Sequence, residues 1–589
     1  MENFPVGKHH LRIDIFIICL LALTLRFSAL CSLQSSLYAD VLLWDERVYH
    51  HLALKLLKNA SDFSPAITSI YAHLMAFVYR LFGQDTIFIR GLNILFGCCT
   101  CLLLCLIGKE LSNRTAGVLT GLTASLYGPF IFYDITLLNT SLSVLLFALA
   151  VYLLIKIWQT ETWLKLLLLG LISGLLFHFR SNAVLIFPVL LLTLFIRPGL
   201  AHIGFKRAVF ICFFFSLGLL SANAHILLKD QNRVLAAEEN ASQAGLNFYI
   251  GNNLENPLPY YRPVSFSTSE PRMQGIYFKI EAERRSGRCL TAREVLFFWI
   301  GEVFRMALES PIVYMKKQTL KLFALCNRFE ACDHYDIGFL SQFVGFFKWP
   351  FFSFWMVFPL GMAGIFITMQ ESRLRQALSA VYFTYAATLI LFFTNARYRL
   401  PLLVLLIPFA VIGIERCCRL WRKKQWRHIA LYGGLVALFG IIEFLPIPGT
   451  GDLTAYYNTH SYILSSIGRR SEALSYWEKS SQMNTSFAAF ADLSLAANSI
   501  KEQDDSRALY YLGKIPANSF ASAQKYALLG DIYSRQHQSD KAAALYEKSL
   551  SYNSGQHRIL LKLINFYKKT DRKKALEKER QLYHISHLR

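Results

Sequence analysis

The stretch Ile15-Phe-Ile-Ile-Cys-Leu-Leu-Ala-Leu-Thr-Leu-Arg-Phe-Ser-Ala-Leu-Cys-Ser-Leu33 decides the fold class. It is apolar over a length that crosses the hydrocarbon core of a bilayer. It is too long for the apolar core of a signal peptide and has no clear small-residue cleavage site, so it reads as a transmembrane helix and signal anchor. Lys8, His9, His10 and Arg12 precede it, which puts the N-terminus on the cytoplasmic side. Arg26, inside it, has two readings: a side chain snorkelling to the outer surface, or one facing a polar cavity.

The composition extends the same reading. Of 589 residues, 54% are hydrophobic and 17% charged, with 47 Phe and 29 Tyr, the balance of a polytopic membrane protein. A net charge of +22 would suit nucleic acid in a soluble chain. Here much of the excess lies in short loops between apolar runs, where it is the positive-inside signal, and no nucleic-acid partner follows. Most of the 12 Cys lie in apolar segments and behave as small hydrophobes. No pair has His partners at metal-ligand spacing, so no metal site is expected. Cys326 and Cys332 flank an outward segment where a disulfide or two free thiols both fit.

Just outside the first helix stands Leu42-Leu-Trp-Asp-Glu-Arg-Val-Tyr49, with Asp45 and Glu46 adjacent between a Trp and a Tyr. Two carboxylates at the edge of lipid are costly unless they bind or react with something; the bland alternative is a helix start with Asp45 as its N-cap. Residues 48–58 have the period of an amphipathic interfacial helix. The apolar run 66–82 is read as non-spanning, because only then do the short basic loops fall on one side. Spans are then expected at 15–33, 87–107, 116–132, 137–155, 164–179, 183–196, 208–228, 343–368, 377–393, 402–414 and 429–445, about eleven in all. The segment 229–342 faces outward. Within it, Gly245–Asn253 and 256–263 carry turn signals, with positive φ expected at Gly and Asn, and 292–308 is an amphipathic helix lying against the membrane.

In this topology Asp45, Glu46, Arg47, Arg90, Asp134, Arg180, Asn182, Arg397 and Arg399 all fall at outer helix ends or in short outer loops. Each alone reads as a headgroup anchor; gathered at one mouth they read as a site. Arginines hold phosphate oxygens bidentately and stabilise a departing phosphate. A carboxylate takes the proton of an acceptor hydroxyl as it attacks an anomeric carbon. A groove between helices would hold a polyprenyl tail.

Asp45-Glu46 with Tyr49, Tyr127-Gly-Pro-Phe-Ile-Phe-Tyr-Asp134, Arg180-Ser-Asn182, the Gly245–Asn253 stretch and Ala396-Arg-Tyr-Arg-Leu-Pro401 together resemble bacterial glycosyltransferase family 39. This is the protein-mannosyltransferase-like group of the GT-C superfamily, related to lipid A aminoarabinose transferases. The resemblance runs from about Ile13 to Leu445 in consistent order. It implies Asp45 as catalytic carboxylate, Asp134 as the second acidic position and Glu46 as a guide for the acceptor. It implies phosphate contacts from Arg397 or Arg399, and sugar or acceptor contacts from Tyr49, Asn182, Asn247 and Tyr249. It leaves room for a divalent cation without requiring one. Many relatives carry a basic residue before paired prolines where this chain has Ser64-Pro65-Ala66, which leaves Arg90 or Arg180 to substitute.

After Pro446-Ile-Pro-Gly-Thr-Gly451 the chain turns polar and helical. Ala473, Ala508, Ala542 and Ala575 recur at spacings of 35, 34 and 33, and Trp477, Leu512 and Tyr546 follow the first three by four residues. With Leu529-Gly530 and Tyr533 this resembles tetratricopeptide repeats, implying a peptide-binding concave face; a packing or dimerisation element is the other reading. The basic run Lys568–Lys574 suits acidic polymer or headgroups, or is a solvated helix end.

The expected architecture is all-α: a GT-C-like transmembrane domain over 1–446 with the external segment 229–342, a linker at 447–452 and a tetratricopeptide-like solenoid over 453–589. The expected activity is transfer of a sugar from a polyprenyl-phosphate donor to a protein or glycolipid acceptor, on the periplasmic face of a bacterial inner membrane. The rival readings are a membrane-anchored scaffold recruiting partners through the repeats, and a lipid-linked sugar transporter. A transporter places its charges near the midplane, whereas here they cluster at one outer mouth.

Overall fold

The computed structural model describes residues 8–58, 70–196, 205–227, 244–267, 271–331, 336–483 and 485–587. Among them the regular structure is helical, with one isolated bridge between Tyr127 and Phe352. The chain forms two units, Met1–Ala237 with Met315–Pro448, and Glu238–Tyr314 with Gly449–Arg589. The segment expected as one external loop of the membrane domain is thus divided, most of it grouping with the C-terminal helices.

The first unit opens with α1 (Lys8–Gln34), α2 (Trp44–Leu57), α3 (Ile70–Phe82), α4 (Thr86–Leu111), α5 (Arg114–Ser125), α6 (Gly128–Asp134), α7 (Thr140–Gln159), α8 (Trp163–Phe179), α9 (Phe187–Phe195) and α10 (Phe205–Leu227). The second unit takes α11 (244–252), α12 (Pro271–Ser286) and α13 (Ala292–Glu309). The chain returns to the first through α14 (Pro311–Cys326), α15 (Ile337–Leu340), α16 (Phe354–Thr368), α17 (Arg373–Leu391), α18 (Ala396–Arg422) and α19 (Trp426–Glu443). Eight more helices complete the second: α20 (Thr454–Ser466), α21 (Arg470–Gln482), α22 (Ala488–Lys501), α23 (Asp505–Lys514), α24 (Ser522–Arg535), α25 (Ser539–Tyr552), α26 (His557–Thr570) and α27 (Arg572–His587).

Among the described residues six helices are long and apolar enough to cross a membrane: Arg12–Gln34, Thr86–Leu111, Thr140–Gln159, Phe205–Ala222, Phe354–Glu371 and Ala396–Arg422. The other expected spans occur as shorter, interrupted or less apolar helices. α1 shows how burial sorts a helix. Ile18, Ala22, Arg26 and Ala29 face inward, while Phe16, Leu20, Leu23 and Phe27 stand exposed, the stripe a lipid-facing helix needs. The described part of α3 has 13 residues, about 20 Å of helix at 1.5 Å per residue.

Two spans expected to be continuous are broken, and each break accounts for the other. The run 116–132 divides into α5 and α6 before Pro129, and 343–368 is helical only from Phe354 apart from a 3₁₀ turn at Gly345–Lys348. The Gly128 N–H donates to the Phe352 carbonyl at 2.8 Å and the Phe352 N–H to Leu126 at 3.0 Å. Backbone freed from a helix at membrane depth must find a partner, and these two stretches supply one another. Likewise 183–196 starts as the 3₁₀ turn Ser181–Ile186 before α9.

Glycines let the long helices approach closely. A Cβ on Gly170 of α8 would lie 2.0 Å from the Phe215 carbonyl oxygen of α10, and one on Gly218 of α10 would lie 2.0 Å from Leu167 O. In α16 a Cβ on Gly364 would lie 2.0 Å from Phe409 O of α18. Small residues at such crossings are how helices pack where no hydrophobic drive separates protein from lipid.

In the second unit α20–α27 form four consecutive helix pairs. Ala473, Ala508, Ala542 and Ala575 are buried, as are Trp477, Leu512 and Tyr546. The first three pairs turn through a left-handed residue, Gly468 (φ 83°), Gln503 (φ 62°) and His537 (φ 59°). Each precedes its repeat alanine by five positions. Ile280 of α12 joins the core formed by Tyr546, Leu560 and Leu563. The Gly245–Asn253 stretch, expected as a turn with positive φ, is instead helical through 252 as α11, and none of its residues is among those with positive φ. Gly245 serves proximity: a Cβ there would meet the Leu296 Cα of α13 at 2.9 Å. The helix expected at 292–308 is α13, which buries Val295, Trp299 and Val303 and exposes Phe297, Phe304 and Leu308.

Gly364→Ala is expected to destabilise the protein by about 1–3 kcal/mol, because the clash is with backbone and the helices must separate. Gly433→Ala, where nothing lies within 4 Å of the added Cβ, should raise stability by up to about 1 kcal/mol through helix propensity. Thermal unfolding of both variants in detergent checks this; equal midpoints would contradict the packing account.

Candidate active site

Trp44 adopts φ 38°, a left-handed backbone rare for a bulky side chain, immediately before Asp45. The N-cap position of α2 is Leu43, not Asp45. Glu46 reaches back instead: its Oε2 accepts the Leu43 N–H at 3.3 Å and its Oε1 accepts the Leu137 N–H at 3.0 Å. The same α6–α7 turn is held twice more. Asn139 Nδ2 donates to the Tyr49 hydroxyl at 3.2 Å, and Asn93 Nδ2 donates to Thr136 O at 2.7 Å and to the Tyr71 hydroxyl at 2.9 Å. α2 is thereby fixed over the start of α7, and Asp45 with it.

Asp45 forms an ion pair with Arg397 at 2.9 Å; its side chain keeps 26% of its exposure, while that of Arg397 keeps 9%. Arg397 opens α18 behind the Asn395 cap, whose side chain accepts the Arg397 N–H at 3.0 Å. The Tyr398 ring lies under two guanidinium groups, Arg180 at 4.6 Å and Arg397 at 5.1 Å. Arg180 is buried between α8 and the 3₁₀ turn that follows; its Nη2 is 3.4 Å from Thr140 Oγ1 and its Nε is buried without a hydrogen-bond partner. Burial pushes the Tyr49 phenol above its usual range, Asp45 pushes it further, and Arg397 and Arg180 oppose them, so all four groups share one neighbourhood. The cluster therefore offers a partly accessible carboxylate, two arginines and three hydroxyls.

The other expected site residues are placed differently. Asp134 is buried against Arg26 of α1 at 2.7 Å, with Gly97 so close that a Cβ would collide with the carboxylate. Arg26 thus faces inward and donates also to Ala22 O at 3.2 Å. Arg399 is occupied by main chain: it donates to the carbonyls of Asn327 at 2.6 Å and Phe329 at 3.3 Å, and stacks 4.0 Å over Phe354. Arg90 is buried and donates through Nη2 to Ala39 O at 3.0 Å, leaving Nε and Nη1 without partners. Asn182 donates to Thr388 Oγ1 at 3.0 Å, tying the 3₁₀ turn to α17. Asn247 and Tyr249 belong to α11 in the second unit, where Tyr249 packs on Trp299 at 4.4 Å within an aromatic core. Ser64-Pro65-Ala66 and Cys332 lie outside the described residues.

Sequence reading missed Tyr398, Asn139 and Thr140 as members of the cluster; Tyr398 stands between two singled-out arginines, which was the available signal. It also missed Lys317 and Lys321, one turn apart on α14 and both buried. Lys321 Nζ donates to Ile390 O at 3.0 Å, beside the α17–α18 turn that presents Arg397. Burial lowers the Lys317 amine to about 7; burial and then Lys317 lower the Lys321 amine to about 6.

A family model described as dolichyl-phosphate-mannose-protein mannosyltransferase matches residues 68–225, a stretch running from α3 to α10. The match agrees with the resemblance read from the motifs and supports a membrane glycosyltransferase. Solved structures similar to the chain include the apo oligosaccharyltransferase of Archaeoglobus fulgidus, at 13% identity over 81% of this chain and 60% of that one, with a TM-score of 0.36. The same organism's AglB in complex with an inhibitory peptide and a dolichol-phosphate gives 14%, 87%, 61% and 0.37. The form tethered with an acceptor peptide containing the NVT sequon gives 10%, 80%, 59% and 0.41. The chain thus spans about three-fifths of the length of these structures. No curated protein matches the sequence.

Lys321 generates a pH prediction. Its folded pKa lies below the ordinary 10.5, so between about 6 and 10.5 the unfolded chain holds a proton that the folded chain does not. Its contribution is then fully present above 10.5 and lost as pH falls toward 6. Lys321→Met should flatten the rise of the unfolding midpoint with pH over this window. An unchanged slope would contradict the assignment.

Proposed function

We propose that the chain transfers a sugar from a polyprenyl-phosphate donor to a hydroxyl of a protein or glycolipid acceptor, with Asp45 as the general base, on the outer face of a bacterial inner membrane. The observation that carries this reading is how the three candidate carboxylates are held. Glu46 accepts backbone N–H groups and Asp134 is sealed against Arg26, whereas Asp45 is oriented by a guanidinium and its side chain stays partly exposed. The family match supports the reaction class.

For a hydroxyl acceptor, the oxygen attacks the anomeric carbon as the bond from that carbon to the phosphate oxygen breaks. Asp45 takes the hydroxyl proton, and polyprenyl phosphate leaves with the bonding electrons. Arg180 and Arg397 face the place where that negative charge grows, and a donor aimed at developing charge in a low-dielectric site lowers the barrier more than the same donor in water. Arg180 Nε is buried without a partner, so a phosphate oxygen that reached it would satisfy an unpaired donor. Glu46, Asn139 and Tyr49 act as positioning groups for α2.

Asp45→Asn should fold normally and lower turnover by roughly 10²–10⁴-fold, the usual contribution of a general base. Arg180→Gln should weaken donor binding as well, since a phosphate contact acts in ground state and transition state alike. Sugar transfer from a polyprenyl-phosphate donor in liposomes reads both, and mass spectrometry of glycans and glycolipids from a deletion strain identifies the sugar and acceptor. Near-wild-type transfer by folded Asp45→Asn would remove Asp45 from the chemistry.

A further inference from the structure

Away from this cluster, the second unit brings together three side chains that neither the fold nor the proposed reaction explains. Glu283 lies near the end of α12, Cys289 in the turn before α13, and His584 near the end of α27. One ligand atom from each lies within 4.8 Å of the other two. His584 Nε2 is 2.8 Å from Glu283 Oε2, while Glu283 Oε1 accepts the Leu290 N–H at 3.0 Å. The carboxylate is largely buried and fixed by that amide, so Oε2 is the oxygen turned toward His584. The turn that presents Cys289 is fixed too: Gly287 takes φ 71° and its N–H donates to Glu283 O at 2.9 Å. Cys289 is an exposed thiol, whereas Cys98, Cys101 and Cys105 are buried in the helical core.

We propose that Glu283, Cys289 and His584 bind a divalent transition-metal ion of the zinc type. A thiolate, an imidazole nitrogen and a carboxylate oxygen are the donor set such an ion takes, with bonds of about 2.0–2.3 Å. Ligand atoms in a tetrahedral site stand roughly 3.3–3.8 Å apart by those bond lengths, so the three need only small rotations about an ion placed between them. The Leu290 amide plays the outer role that orients a ligating carboxylate. On binding, the thiol loses its proton to solvent as the sulfur–metal bond forms, and the imidazole coordinates through Nε2 with its remaining proton on Nδ1. A fourth position stays open to water. The ion would clip the C-terminal helix to the α12–α13 turn, joining the two separate stretches of chain that build this unit.

The test uses the full-length chain in detergent, reduced and stripped with chelator, and titrated with Co²⁺ as an optical probe. The expected result is one equivalent of Co²⁺ giving a near-ultraviolet thiolate band that Zn²⁺ abolishes. The band should be absent from Cys289→Ser, and affinity should fall at least about tenfold in His584→Ala. Zn²⁺ should also slow alkylation of Cys289 in the wild-type chain. No band in the wild type, or the same band in Cys289→Ser, overturns the proposal and leaves Glu283 and His584 as an ordinary hydrogen-bonded pair. Both changes are at exposed side chains, and should either variant fail to fold, the alkylation assay on the wild type decides alone.

Discussion

A carboxylate at the edge of an apolar bundle cannot stay ionised there without a partner, and the first unit answers this constraint in three ways. Asp134 is paired with Arg26 deep between α1 and α6. Glu46 is met by the amides of Leu43 and Leu137. Asp45 is met by Arg397, from a helix far along the chain. The first two arrangements join helices; the third keeps the carboxylate partly exposed beside two arginines. The chemical assignment follows from that difference in partners more than from the acids themselves.

The scaffold holds this arrangement through places where helices stop. α5 ends at a break paired to the stretch before α16, and the α6–α7 turn is hydrogen-bonded to Glu46, Tyr49 and Asn93. Arg180 follows the end of α8, and Arg397 sits in the first turn of α18. Helix ends expose backbone polar groups and carry side chains outward together, so a site assembled from them needs little sequence beyond caps and turns. Arg399, two residues from Arg397, points the other way around the helix and binds the 327–329 carbonyls.

Much of this was legible in the sequence. The apolar runs and one-sided basic loops gave the helices, the outward topology singled out Asp45, Arg180 and Arg397 for one mouth, and the family resemblance added Tyr49. What was not legible depended on tertiary partners. Nothing local says that Arg399 will be taken by carbonyls while Arg397 meets Asp45. The break at Leu126–Tyr127 needed the Phe352 strand-like stretch to make it affordable. Gly245 and its asparagines look like turn residues, yet the glycine answers to Leu296 across a helix crossing. The repeat alanines were periodic and are buried, but two of the left-handed turns pass through Gln503 and His537, where no glycine marks them.

The central claim is that Asp45, Arg397 and Arg180 face the reacting end of a lipid phosphate. A structure of the full chain with a polyprenyl phosphate bound tests it most directly. Phosphate oxygens are expected within hydrogen-bond distance of Arg180 and Arg397, with Asp45 turned to the side from which an acceptor enters. A phosphate held elsewhere, with Asp45 and Arg397 still closed on one another, would contradict it.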